Sequence, residues 1–183
     1  MDIKLSKVRL SFPDLFVTRE FKPGDGKPRY SASFLIVPGS ENDKKIREAI
    51  HAEAVAVYGK KAEANLKAFA PQTNKFAYTD GNLKTYDGYE DMWVLACHAK
   101  TRPLVLDRDK TPLTADDGRP YAGCYVNAVV SIYAQQGENP GIRGSFSGVQ
   151  FHSDAEAFGG GKPASSDDFD EVPDEGASAE DIF

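Results

Sequence analysis

Basic and aromatic side chains recur at close spacing through the middle of the 183-residue chain. They form Lys75-Phe76-Ala77-Tyr78, Lys84-Thr85-Tyr86, Lys100-Thr101-Arg102, Arg119-Pro120-Tyr121 with Tyr125 behind it, and Arg143 ahead of Phe146. Single-stranded nucleic acid is the ligand that uses this mixture, because cations follow its phosphates and aromatic faces stack on its bases, each stack contributing roughly 1–3 kcal/mol. The candidate contact set is therefore Lys75, Tyr78, Lys84, Tyr86, Lys100, Arg102, Arg119, Tyr121, Tyr125 and Arg143. Against it stands the plainer alternative for any single member, a core ring or a solvated lysine, and Phe76, Trp93 and Phe146 read as core.

Other chemistries are poorly supplied. His51, Cys97, His98, Cys124 and His152 show no paired spacing of the zinc type, so no metal site is expected. The acids Asp87, Glu90 and Asp91 could hold a divalent cation for nuclease chemistry, but they read more simply as a solvated turn before a strand. Gly159-Gly160-Gly161-Lys162 is followed by Pro163 where a phosphate-cradling loop requires Ser or Thr, so it reads as a linker. No nucleophile motif is present, and the two cysteines are too few for a disulfide framework. The residues describe a binding module without catalytic residues or cofactors; a protein-docking adaptor is the alternative, and a nuclease a weaker one.

The net charge of −6 conceals a division. Residues 154–183 carry ten acids and one base, a net of −9, which leaves the rest of the chain at +3. The join at Phe158-Gly159-Gly160-Gly161-Lys162-Pro163 is small and flexible, so the chain divides into a folded unit, residues 1–158, and a disordered acidic tail, residues 159–183. That tail ends in Glu180-Asp181-Ile182-Phe183, an apolar tip behind two acids, which is suited to anchoring in a partner's pocket with a basic rim. A flexible coil of this length reaches on the order of 25 Å, enough to return to the folded unit's own basic groove.

Positioning these groups falls to short strands. Tyr30, Ala32, Phe34 and Ile36 alternate along one strand; Cys124, Val126, Ala128, Val130 and Ile132 form the core face of another, with Tyr125, Asn127, Val129, Ser131 and Tyr133 opposite. Further strands are expected at residues 91–100, 104–107 and 142–152. In the first strand Ile3 and Leu5 share one parity while Val8, Leu10 and Phe12 share the other, which predicts a bulge near Ser6-Lys7. Ser40-Glu41-Asn42-Asp43 caps an amphipathic helix carrying Ile46, Ala49, Ile50, Ala54 and Val57, with a second helical piece from Lys61 to Phe69. The fold class is mainly β with one or two helices. An OB-fold-like antiparallel barrel plus the tail is the first expectation, and a β-sandwich the alternative.

No apolar run approaches the roughly 18 residues of a membrane span and no secretory signal opens the chain, so a cytoplasmic protein is expected. Lys100-Thr101-Arg102-Pro103, Tyr121-Ala122-Gly123-Cys124-Tyr125-Val126, Gly141-Ile142 with Gly148-Val149-Gln150-Phe151, and the Phe158-Gly159-Gly160 exit occur in an order that resembles the OB-fold single-stranded DNA-binding proteins of phages and prophages. The terminal Glu180-Asp181-Ile182-Phe183 is similar to the acidic tips of bacterial and phage members, departing from the bacterial form by lacking Pro before the last Phe. The resemblance implies sequence-tolerant binding of single-stranded DNA in phage replication or recombination, in the cytoplasm of a bacterial host cell, with replication or recombination proteins recruited through the tip. Whether the binding unit is a monomer or a homodimer is left open.

Overall fold

Alternation of apolar and polar side chains decides the longest strands. In β6 (Tyr125–Gln135), Val126, Ala128, Val130 and Ile132 are buried while the intervening residues face outward, as the sequence period requires. The computed structural model describes residues 1–159 and 166–173. Within them β1 (Asp2–Arg19) pairs with both β6 and β2 (Arg29–Ile36), β2 pairs with β4 (Trp93–Ala99), and β6 pairs with β7 (Gly141–Ser153), all antiparallel. One parallel contact, His98 opposite Ser145, joins β4 to β7 and closes a five-stranded barrel of the OB type. Gly144 permits that closure: a Cβ there would stand 2.9 Å from the Ala96 carbonyl oxygen and 3.0 Å from Cys97 Sγ. Two short strands lie outside the barrel, β3 (Tyr78–Asp80) beside β4 and β5 (Leu104–Leu106) parallel to β7.

Helix α1 (Glu41–Tyr58) leaves β2 behind the Ser40 cap, whose hydroxyl accepts from the Asp43 amide at 3.3 Å. Its buried stripe of Ile46, Ala49, Ile50 and Ala54 joins the barrel core, each isoleucine contributing roughly 1.5–3 kcal/mol. Asn42 exchanges hydrogen bonds with Ser6 at 3.0 and 2.9 Å, and the Tyr58 hydroxyl donates to the Gln135 carbonyl at 2.5 Å. Helix α2 (Ala62–Phe69) follows after a single tight turn.

Strand β1 changes face twice. Its register shifts between Leu5 and Val8, where Lys7 has φ +50°, which is the expected bulge. A second shift lies between Ser11 and Asp14, where Phe12 has φ +46°. The parity of Val8 and Leu10 would place Phe12 in the core, yet the left-handed residue reverses the alternation. Ser11 is buried, hydrogen-bonded to the Tyr89 hydroxyl at 2.9 Å, and Phe12 is turned out to solvent.

The chain leaves the barrel along a fixed path. Phe158 packs against Gly88, where a Cβ would lie 2.4 Å from its ring, and the Arg9 guanidinium stands 4.2 Å from its centroid. The next amide, of Gly159, donates to Asp87 at 3.1 Å. The acidic segment therefore begins beside the loop that carries Tyr86. Among the described residues no helix is long and apolar enough to cross a membrane.

Candidate nucleic-acid interface

The outward face of β2 and β4 is floored by small side chains. Ser31 lies opposite His98 and Ser33 opposite Ala96, so the surface is low there and its walls come from elsewhere. Two hollows of about 510 and 740 Å³ open on it. They share Phe21, Phe76, Ala77, Ala96 and His98, and so make one groove running from the Tyr86 loop to β7 and Asn139, between the β1–β2 and β6–β7 connections. In OB barrels this face and these two connections are where oligonucleotides lie.

Its walls are aromatic. Phe12 and Tyr86 meet edge-to-face at 4.8 Å and are 56% and 50% exposed, far more than rings with only a packing role. Phe21, 61% exposed, stands on the connection after β1 with its centroid 5.1 Å from the His98 ring and 4.6 Å from the Arg29 guanidinium. Burial, and then the neighbouring Arg29 charge, push the His98 pKa down to about 4, so its ring is neutral at pH 7. Lys84 adds positive charge at one end of the groove, and Lys100 and Arg143 at the other. Arg143 is steadied by the carbonyls of Asn74 and Asn139. Asp14 and Glu20 also line the groove, but Asp14 is engaged by Arg19 at 2.8 Å and Ser31 at 3.1 Å, and Glu20 accepts from the Gly24 amide at 2.9 Å.

The structure thus brings together Lys84, Tyr86, Lys100 and Arg143 of the ten residues singled out in the sequence. Lys75 is half-buried beside the groove, on a segment whose carbonyl accepts from the Ile142 amide. Tyr78 is a correction: its ring is buried and stacked 5.4 Å from Trp93, and its hydroxyl donates to Asp43 at 2.7 Å, which leaves no face for a base. The remaining four line neither hollow. Arg102 lies 6.0 Å from the Phe16 ring, Arg119 pairs with Asp107 at 2.5 Å, the Tyr121 hydroxyl donates to Asp154 at 2.7 Å, and Tyr125 lies under the Lys7 ammonium on the outside of β6. Burial, and then Asp154, push the Tyr121 pKa up to about 12.

Asp87, Glu90 and Asp91 do not converge, and among the described residues no group of three His, Cys, Asp or Glu is placed to hold a metal ion. Cys97 and Cys124 are buried, with burial pushing the Cys124 thiol up to about 11. The tip Glu180, Asp181, Ile182 and Phe183 lies outside the described residues.

A family model described as Enterobacter phage Enc34, ssDNA-binding protein, matches residues 1–182. The chain belongs to that family. A relative from Acyrthosiphon pisum secondary endosymbiont phage 1, putative protein p50, is 44% identical over 177 residues, covering 94% of each chain. The single-stranded DNA-binding protein from bacteriophage Enc34, in a C-terminal truncation, is similar at TM-score 0.67 and 26% identity, over 86% of this chain and 88% of that one. The same phage protein in complex with ssDNA shares the fold, at TM-score 0.65 and 24% identity over 86% and 89%. So does gp2.5, a single-stranded DNA binding protein encoded by bacteriophage T7, at TM-score 0.53 and 14% identity over 92% of each chain. Membership of the Enc34 family makes this a phage-type binding protein and not an enzyme.

For this member of the Enc34 family, sequence reasoning overlooked Phe12, Phe21, Arg29 and His98. Phe12 was concealed by the backbone reversal, which no periodicity reports. A signal for Phe21 did exist: it sits among Glu20, Lys22, Pro23, Gly24, Asp25 and Gly26, a polar loop with no core to join.

Proposed function

We propose that the protein binds single-stranded DNA without sequence preference, lying across β2, β4 and β7 with bases against Phe12, Phe21 and Tyr86 and phosphates near Lys84, Lys100 and Arg143. The observation that carries this reading is the continuous groove walled by half-exposed rings on the ligand face of the barrel. Family membership and the relative described in complex with ssDNA support it. The protein acts by occupying the strand, in phage DNA replication or recombination in the host cytoplasm.

The acidic segment starts beside Tyr86, so it is tethered next to the groove it would compete for, and Glu180, Asp181, Ile182 and Phe183 serve as the handle for replication or recombination proteins. Fluorescence anisotropy of a labelled oligo-dT across a salt range tests both parts. Binding is expected to weaken with a log–log slope of about −0.7 per phosphate neutralised. A chain ending at Gly161 is expected to bind more tightly at low salt and to lose partner recruitment. Salt-insensitive affinity, or no binding, contradicts the DNA reading and favours a protein-docking adaptor. Sedimentation with and without oligo-dT reads whether the binding unit is a monomer or a homodimer.

A further inference from the structure

Among the described residues two buried side-chain polar atoms have no hydrogen-bond partner, and both sit in the groove: Nε of Arg29 and Nδ1 of His98. They are neighbours across a strand pair, since His98 lies opposite Ser31 and Arg29 shares the Ser31 face of β2. The carboxylates nearby are engaged: Asp14 by Arg19 and Ser31, Glu20 by the Gly24 amide, and Asp25, which feels the Arg29 charge, by the amides of Lys22 and Lys27. What lies against both groups is Phe21, in contact with each and mostly exposed on its outer side. An apolar ring in water beside buried N–H groups with nothing to bind is unfavourable on both sides, and a ligand that exchanges the two relieves both. The ring is carried on the exposed connection between β1 and β2, with open space around Gly24 and Gly26, so nothing outside the loop blocks its displacement.

We propose that Phe21 is a movable cover over a phosphate subsite: an incoming strand draws the ring onto a base, and Arg29 Nε–H and His98 Nδ1–H then grip a non-bridging oxygen of the adjacent phosphodiester. Arginine is only a donor there, and the neutral imidazole donates from Nδ1 in one tautomer, so the pair matches an anionic oxygen. The subsite rests on the reading of the groove as a single-strand site and adds a backbone grip that needs no base.

The test compares two labelled probes of equal length, oligo-dT and an oligomer of abasic tetrahydrofuran phosphates, on the wild type, Phe21→Ala and Arg29→Gln. Phe21→Ala is expected to bind oligo-dT about tenfold more weakly, having lost a stacking ring, and the abasic oligomer severalfold more tightly, having lost the cover. Arg29→Gln is expected to weaken both and to make the salt slope shallower by about 0.7. In long-range ¹H–¹⁵N spectra the His98 Nδ1 signal, identified through His98→Gln, is expected to move to a hydrogen-bonded position with either probe. Wild-type binding of oligo-dT, with abasic binding unimproved by Phe21→Ala, overturns the cover; an unchanged slope in Arg29→Gln or an unmoved His98 signal overturns the grip. Failure of the wild type to bind oligo-dT overturns the groove reading itself and the subsite with it.

Discussion

Arg47 and Arg29 each hold a guanidinium carbon 4.6 Å from an aromatic centroid, Trp93 in one case and Phe21 in the other, and the two regions around them differ in what is finished. At the α1 end Arg47 Nε donates to Asp43 at 2.8 Å. Asp43 also accepts from the Tyr78 hydroxyl at 2.7 Å and the Gly39 amide at 2.8 Å. Burial works against the Asp43 charge, but the bonds from Gly39, Tyr78 and Arg47 outweigh it and hold the carboxyl below its usual range. In the groove the corresponding arginine–aromatic pair has an unpartnered Nε, an exposed ring and a histidine nitrogen without a partner. A satisfied network holds the fold, and an unsatisfied one is positioned to receive something.

The contrast breaks most visibly at Asp43. Asp43→Ala leaves the buried Tyr78 hydroxyl and the Gly39 amide without their acceptor while half-exposed Arg47 turns to solvent, and is expected to cost about 2–4 kcal/mol in urea denaturation while the folded fraction binds oligo-dT as before. On the other side, Tyr86→Ala is expected to lower oligo-dT affinity about tenfold, within the roughly 1–3 kcal/mol of one stacked base, with stability changed by less than about 0.5 kcal/mol. Tyr78→Phe keeps the ring and removes only the hydroxyl bonded to Asp43, and is expected to cost about 1–2 kcal/mol of stability with affinity unchanged, whereas an exposed stacking tyrosine would lose neither. Phe12→Gly relieves a left-handed phenylalanine but gives up its contacts with Tyr86 and Tyr89, and is expected to change the unfolding free energy by less than about 1 kcal/mol while weakening DNA binding, so that affinity falls without a matching loss of stability.

The smallest effect is a pH dependence. The folded pKa of His98 is about 4 against an ordinary 6.5, so the unfolded chain binds more protons between those values. Stability is therefore complete above about pH 6.5 and declines as pH falls toward 4, by roughly 1 kcal/mol or less at pH 5.5 for a ring partly open to solvent. Thermal melts of His98→Gln are expected to lack this component; an identical decline in both proteins contradicts the assignment.

How far the sequence reached can be read from the same two regions. The core face of β6, the Ser40 cap and the bulge at Lys7 follow from periodicity and capping chemistry, which are local and visible in the chain. Lys84, Tyr86, Lys100 and Arg143 were legible as candidates because cations beside aromatics are themselves a local pattern. Tyr78 had the same local pattern and the opposite fate, since its ring is packed in the core and its hydroxyl is bonded to Asp43, 35 residues earlier. Phe12 was hidden for a different reason, a single positive φ that exchanges inside for outside. Arg29 and His98 meet only through the pairing of β2 with β4, which no spacing along the chain encodes.

Photocrosslinking of an oligomer carrying 5-bromodeoxyuridine, mapped by mass spectrometry, reads directly whether the strand lies on the β2–β4–β7 face. A strand in that groove gives adducts at Phe12, Phe21, Tyr86 and His98. Adducts concentrated instead at Tyr121 and Tyr125, on the outside of β6 and its entry turn, would contradict it.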